Sequence, residues 1–281
     1  SFSNPTLTDV TFNGNYAADR GGGMYLWEAS PTLTSVIFSG NTGGSKGGGL
    51  YLNNSSVSGS YVLINNNYSE GHGAGIFISA GSYINLNNST IASNMVGEGA
   101  TGGAGIYADG GTATLINNIV YYNRREGDYG INYNLNGYTM DILDEYTVSY
   151  SDIEGDENWI PEGEGNISIA PEVHDFENGD LTLKSTSPCI DAGTADINGD
   201  GYDDIMDYYG SAPDMGAFEY YVGDDCNLGD VNCDDILNVL DVVIVINLIL
   251  DDEYDVIADI NNDGEVNILD IVVLVNIILL N

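Results

Sequence analysis

The sequence predicts a mainly β chain wound as a three-stranded parallel solenoid over residues 1–222, followed by a small α-helical domain over residues 226–281. Three observations predict it. A glycine cluster followed by alternating apolar residues, GGGMYL at 21–26 and GGGLYL at 47–52, returns at a near-constant interval, with its last glycine at Gly23, Gly49, Gly75, Gly105 and Gly130. A second register moves with it, because FNGN, FSGN, INNN, IASN and VYYN end at Asn15, Asn41, Asn67, Asn94 and Asn123. The segments between are short and β-rich, with no apolar run of helical period before residue 223, whereas two such runs close the chain.

A coil of about 26 residues is too long for a hexapeptide β-helix and has none of the helices of an ankyrin or leucine-rich repeat, which leaves three short strands per turn. Each strand then pairs in parallel with its equivalents roughly 4.8 Å above and below. The five asparagines are expected to stack with their amides hydrogen-bonded along the axis. The glycines supply positive φ at a corner and close approach between turns. In the strand after them, alternation sends Met24, Leu50, Ile76, Ile106 and Ile131 inward, with Leu26, Leu52 and Ile78.

Between those inward residues, Tyr25, Tyr51, Phe77 and Tyr107 point outward as an aromatic ladder that ends at Asn132. Such a ladder either stabilises its own sheet or offers ring faces to a sugar or a partner surface. Arg20, Lys46 and His72 sit three residues before their glycines, and Arg124 and Arg125 fall near the same turn, so nearly all the scarce positive charge is expected on one edge. That edge is a candidate surface for an anionic glycan or the acidic end of another copy. It also has acidic neighbours, Asp19, Glu70 and Glu126, that would pair with it as ordinary surface ions.

Charge bounds the function further. Five Lys and Arg against 43 Asp and Glu give −38, which argues against nucleic acid and anionic membranes as partners and favours bound cations. Lys184 is the last basic residue, and the stretch after it carries 22 acids. No apolar run in the chain is long enough to span a bilayer. NPTLTDV at 4–10 matches SPTLTSV at 30–36, so the chain is expected to begin within the repeat array. Cys226 and Cys233 are placed to pair across a short loop, which leaves Cys189 free or buried. An oxidising, calcium-rich extracellular setting suits both the acids and that pairing.

The paired glycine and asparagine signatures resemble the repeats of polymorphic outer membrane proteins and related right-handed parallel β-helix proteins. VSYSDIEG, GEGNI, SPCIDAG and DMGAFEY look like the closing rungs of a broad bacterial extracellular β-helix family. The resemblance implies the fold over about residues 1–222. Its members include adhesins, surface proteins and polysaccharide-active enzymes, so function has to come from the site.

Three acidic stretches have the spacing of a twelve-residue calcium loop. In DINGDGYDDIMD, Asp196, Asn198, Asp200, Asp204 and Asp207 hold positions 1, 3, 5, 9 and 12, Tyr202 offers its carbonyl at position 7, and Gly201 takes the sharp turn. Asp230, Asn232, Asp234, Asn238 and Asp241 repeat the pattern with the Ile236 carbonyl. Asp259, Asn261, Asp263, Asn267 and Asp270 repeat it once more, with the Glu265 carbonyl, as a displaced copy of that second loop. Hard oxygen ligands in that order select calcium. Each of the last two loops leads directly into an apolar helix with no helix before it. This unit resembles a type I dockerin, the calcium-dependent module that plugs into cohesins, over about residues 226–281.

Two departures stand out. Asp235 occupies the position-6 glycine of the first of these two loops. The helices VLDVVIVINLIL and ILDIVVLVNIILL are apolar nearly all round and lack the Lys and Arg of familiar dockerin helices. At about 12 residues they are too short to cross a bilayer, so whatever apolar stripe the helix pair leaves uncovered needs a partner.

Two function classes follow. One is a non-catalytic extracellular structural or adhesive protein whose helical module contacts a cohesin-like receptor or a second copy, head to tail, in a filament. The alternative is a polysaccharide-active enzyme or glycan-binding protein held by a cohesin-type receptor. For catalysis the rungs offer only Arg124 or Arg125 as base and Asp109, Glu126 and Asp128 as carboxylates, with no motif joining them, and the molecule's charge repels a polyuronate.

Overall fold

The structure is a computed structural model that describes residues 4–100, 102–127, 146–155, 162–176, 178–221, 226, 228–232, 236–251 and 254–280. The chain divides into two compact units, Ser1–Glu219 and Tyr220–Asn281.

The first unit is a parallel β-solenoid of about four turns, and each full turn carries four short strands rather than the three expected. The first ladder runs through Thr6–Thr8, Thr32–Thr34, Ser56–Ser60, Tyr83–Asn87, Thr112–Ile116 and Tyr146–Ser149. The second runs through Thr11–Asn13, Ile37–Ser39, Leu63–Asn65, Thr90–Ala92, Ile119–Tyr121 and Asp152–Ile153. The third has two-residue rungs, from Tyr16–Ala17 to Arg124–Arg125, and the fourth joins Met24–Trp27, Leu50–Asn53, Ile76–Ser79 and Ile106–Asp109. The extra strand arises because a left-handed residue breaks the chain after nearly every strand. In the second turn these are Ser35, Gly40, Gly47 and Asn54.

Each residue of the glycine triplet meets a different demand. Gly21, Gly47 and Gly73 have φ of 65°, 64° and 58°. Gly49 has ordinary φ, but a Cβ there would lie 2.6 Å from the carbonyl oxygen of Gly75 on the next turn. One glycine therefore turns the corner while its neighbours let the turns approach. Beside them the asparagines stack as anticipated. The Oδ1 of Asn67 accepts from the backbone N–H (2.9 Å) and the Nδ2 (3.0 Å) of Asn41, and the Asn67 Nδ2 donates to Asn94 Oδ1 and to the carbonyl of Phe38, both at 2.9 Å. The same geometry links Asn15 to Asn41 and Asn94 to Asn123.

Inside the coil the middle residue of each rung faces the axis. Leu33, Val57, Ile64, Ile84, Leu86, Ile91 and Leu115 are buried with Leu50, Ile76, Ile78 and Ile106, and Phe12 stacks on Phe38 at 4.9 Å. Full burial of one such side chain contributes about 1.5–3 kcal/mol, so a stack of turns is stable where one turn is not. A second polar ladder, which sequence reading missed, lines the corner after the first ladder: Val62 N–H donates to Ser89 Oγ, Ser89 N–H to Asn118 Oδ1, and Asn118 N–H to Ser151 Oγ.

The closing segment differs from the rungs its sequence resembles. VSYSDIEG does supply strands of the first two ladders, and Ile167 pairs with Asp152. Beyond that, Val173–Asp175 and Asp180–Leu183 form an antiparallel hairpin, and SPCIDAG and DMGAFEY lie along the coil as a strap. Thr194 and Asn117 exchange hydrogen bonds of 2.8 Å each way, Asn88 Nδ2 donates to the carbonyl of Asp214, and Ala217 N–H donates to Thr90 Oγ1. The strap covers the second ladder, where Leu63, Thr90 and Ile119 are buried. By contrast the outer face of the first ladder remains an open array of Thr, Ser and Asn with the exposed Tyr83 among them and no charged side chain on its strands.

In the second unit, helix α1 spans Val239–Asp251 and helix α2 spans Ile268–Leu280. They pack around Val245, Ala258, Ile260 and Leu274. No helix among the described residues is long and apolar enough to cross a membrane.

The asparagine stack gives a direct test of the coil. Asn67→Ala strands two buried donors of Asn41 and the Phe38 carbonyl, and is expected to cost roughly 3 kcal/mol or more in urea unfolding, whereas Asn15→Ala at the exposed end costs less than about 1 kcal/mol.

Candidate functional site

Two regions hold the residues singled out in the sequence. The first is the aromatic column on the fourth ladder. Tyr25, Tyr51, Phe77 and Tyr107 stack as a continuous pile, at centroid distances of 5.1, 5.1 and 5.4 Å. The basic residues close over it, each reaching one turn up. Arg20 donates to the Tyr51 hydroxyl at 3.1 Å and lies over its ring, Lys46 Nζ sits 4.3 Å from the Phe77 centroid, and the His72 ring stacks on Tyr107 at 4.5 Å. Tyr51 is 3% exposed and Phe77 0%, so neither offers a face to a ligand.

Within the column the cations and the rings engage one another, and the inner rungs form part of the wall of the coil. Tyr25 remains 41% exposed, at the first rung. Burial, and then the Lys46 ammonium, hold the His72 imidazole below its ordinary value, which weakens the column's positive charge further. Arg124 and Arg125 stand apart from the column, on the third ladder opposite Met95 and Val96. Arg124 makes a bidentate pair with Glu154, at 2.7 and 2.5 Å, and Arg125 donates to the Ala100 carbonyl. Asp109 pairs with Lys46 at 3.6 Å, and Glu126 accepts from the Tyr68 hydroxyl. Asp128, Gly130, Ile131 and Asn132 lie outside the described residues.

The acidic loops form the second region. At 196–207 the Asp196 carboxylate gathers the N–H groups of Gly199, Asp200 and Gly201 at 2.7, 3.1 and 2.8 Å. Asn198 Oδ1 accepts from Asp200 N–H and Asp200 Oδ1 from Tyr202 N–H. Asp204 closes the loop by accepting from Ile197 and Asn198, and Asp207 is exposed.

The two loops of the second unit repeat each other. Asp241 accepts from the N–H groups of Asn232 (3.3 Å) and Asn238 (2.8 Å), and Asp270 accepts from those of Asn261 (3.1 Å) and Asn267 (2.9 Å). Asn238 and Asn267 cap the helices by accepting from Leu240 and Leu269 N–H. Asp259 takes the N–H groups of Asp263 and Gly264, and Asp263 that of Glu265. The Ile236 carbonyl accepts from Asn238 Nδ2. Asp234 lies outside the described residues, as does Cys233; Cys226 is disulfide-bonded, and Cys189 is free and buried.

Among the described residues no group of three His, Cys, Asp or Glu side chains converges into a metal cage. The donor set still fits a hard cation held partly by Asn and backbone oxygens. Asp230, Asp241, Asp259 and Asp270 are 0–2% exposed, in a segment where residues 226–281 contain 12 acids and no Lys, Arg or His. Buried carboxylates are stabilised by hydrogen bonds and by a cation, and residues 226–281 contain no cationic side chain.

The helices add what the sequence could not place. On α1, Val239, Leu240, Val243, Ile246 and Leu250 are 66, 56, 49, 39 and 76% exposed. Their counterparts on α2 in the duplicated unit, Ile268, Leu269, Val272, Val275 and Leu279, are 64, 56, 53, 37 and 77% exposed. The spacing 239, 243, 246, 250 is one stripe of a helix. The duplication was the available signal, but near-uniform hydrophobicity concealed which face would be bare.

Residues 1–120 match the family model described as right handed beta helix region, and residues 228–279 match the dockerin type I domain. No curated protein matches the chain. Among solved structures, the crystal structure of pectate lyase Pel9A aligns at 16% identity and a TM-score of 0.39, over 78% of this chain and 66% of that one. The chain thus spans just under two thirds of that structure's length.

Two acids, the buried Asp152 and the half-buried Glu219, contribute to the pH dependence of the coil. Burial pushes Asp152 up to about 7; the Ile169 N–H and the Cys189 thiol pull the other way, and Glu154 adds to the rise. Glu219 is likewise pushed up to about 7, by burial first. A raised carboxyl favours the folded state in its neutral form, so this contribution is full below the ordinary carboxylate range and is lost as pH rises through about 7. The thermal midpoint of the coil at constant calcium is expected to fall between about pH 4 and 7 and to level off above that, and Asp152→Asn to flatten the fall. A slope unchanged by the substitution would remove Asp152 as its source.

Proposed function

We propose that this chain, a right-handed β-helix with a C-terminal dockerin type I module, is an extracellular structural or adhesive protein that attaches a rigid coil to a partner protein. The observation that carries the proposal is the duplicated stripe of exposed aliphatic side chains on two helices that grow directly out of calcium-type loops. A dockerin type I module binds calcium and makes a protein–protein contact with a cohesin partner; the particular receptor here is a cohesin-like protein with a matching apolar surface. Secretion or surface display is supported by the module class and by the disulfide at Cys226.

Calcium has three loops to occupy. Asp230, Asn232, Asp234, the Ile236 carbonyl, Asn238 and Asp241 would hold one ion, and Asp259, Asn261, Asp263, the Glu265 carbonyl, Asn267 and Asp270 a second. Asp196, Asn198, Asp200, the Tyr202 carbonyl, Asp204 and Asp207 would hold a third within the coil's closing strap. The cation neutralises carboxylates that otherwise repel one another, which lets the loops close and fixes the start of each helix.

The cohesin-like partner is favoured over a head-to-tail second copy. A copy would need a basic receiving edge, and Arg20 and Lys46 are already engaged with Tyr51, Phe77 and Asp109. The non-catalytic reading is supported in the same way, because a lyase needs an unengaged base and Arg124 is held by Glu154.

Calorimetric titration of calcium-stripped protein is expected to find three sites, reduced to two in Asp196→Asn/Asp200→Asn; two sites in the unsubstituted chain would confine calcium to the helical module. Surface plasmon resonance against a cohesin module is expected to show binding in calcium that EDTA abolishes. Binding that survives EDTA would separate docking from the calcium loops and sink the proposal.

A further inference from the structure

The docking face differs in charge from anything its own kind could meet comfortably, and that difference specifies the partner. From the exposed faces of α1 and α2 and the net negative charge of the module that bears them, we infer that the module's partner is a protein surface with an apolar patch bordered by Lys and Arg. The inference rests on the reading that the helices are the docking face, and adds the chemistry of what docks there.

Three observations carry it. The face itself is uncharged: its exposed members are Val, Leu and Ile, with Asn247 and Asn276 as exposed polar residues on the same helices. Everything ionisable in the module that can carry charge near neutral pH is acidic, since residues 226–281 hold 12 Asp and Glu and no Lys, Arg or His. Even two bound calcium ions, at +4, leave −8 by subtraction from that count. A partner approaching the apolar stripe therefore crosses a negative field that extends about a Debye length, roughly 8–10 Å. An acidic rim on the partner would meet like charge with no cation on this side to relieve it, which costs several kcal/mol at an interface. A basic rim gains in encounter rate and specificity, while burial of the aliphatic face supplies affinity.

The same arithmetic disfavours a second copy as occupant. The 281 residues carry −38, and the five Lys and Arg all lie at or before Lys184. Two modules brought face to face would match apolar stripes and oppose acids.

The test uses the calcium-loaded full chain and two synthetic amphipathic helices that share one leucine face, one flanked by Lys and the other by Glu. The Lys-flanked helix is expected to bind at least about tenfold tighter at low salt, with the advantage shrinking as salt is raised. Simple adhesion of a basic peptide to a polyanion has to be distinguished from docking. Leu240→Glu/Leu269→Glu does this, because it adds negative charge while spoiling the face: docking predicts that binding of the Lys-flanked helix is lost, and adhesion predicts that it is kept or strengthened. Val243→Thr/Val272→Thr, nearly isosteric, should weaken binding in the same direction if the glutamate variant fails to fold by circular dichroism. Equal binding of both helices, lost in the variants, would overturn the basic-rim inference and leave the helices as the docking face. Binding of the Lys-flanked helix that persists in both variants would overturn the docking face as well. Failure of both helices to bind would overturn the inference, while cohesin binding in calcium would still support the underlying reading.

Discussion

Everything in the first unit depends on turns stacking in register. A parallel ladder repeats each backbone group directly above its equivalent, so a residue that suits one turn has to suit the next. The buried Asn41, Asn67 and Asn94 show what this demands, because each carboxamide is both acceptor for the turn before and donor to the turn after, and Asn123 accepts from Asn94 in the same way. A partly satisfied amide would be worse than an apolar side chain there. Once the register is set, the glycines that admit close approach and the corner residues with left-handed backbone are fixed with it.

Stacking also decided the fate of the side column. Rings spaced by one turn fall into contact, and a basic side chain three residues before the glycines reaches the ring of the following turn. The column became part of the wall. In a molecule with five Lys and Arg, placing two of them in that wall leaves the acidic surface uncompensated, and calcium becomes the natural counterion. The coil and the helical module thus solve opposite problems. In the first the stacked asparagines satisfy one another, and the other has buried carboxylates that no residue of its own can neutralise.

Much of this was readable from residues alone. Period, inward faces, the asparagine stack and the paired acidic loops each follow from a repeat whose physics is local. The fourth strand per turn was not legible because the residues at the breaks are unlike one another: Asp9, Ser35, Tyr61, Asn88 and Asn117 all adopt positive φ at the same corner. Only the neighbouring turns force that conformation on a tyrosine. The closing segment misled for the opposite reason, since SPCIDAG and DMGAFEY resemble rungs in sequence, yet Thr194, next after SPCIDAG, bonds to the Asn117 side chain and DMGAFEY bonds to those of Asn88 and Thr90, as a strap. The bare stripe on the helices was hidden because Val, Leu and Ile fill nearly every position, so periodicity alone could not choose a face.

The central claim is that a self-sufficient coil carries a helical module whose order depends on calcium. Hydrogen exchange of the full chain, followed by mass spectrometry with and without calcium, tests it most directly. Amides of the turns between Met24 and Arg125 are expected to stay protected in both conditions, while those of Val239–Asp251 and Ile268–Leu280 become protected only when calcium is present. Equal protection of both helices in EDTA, or loss of protection throughout the coil, would contradict it.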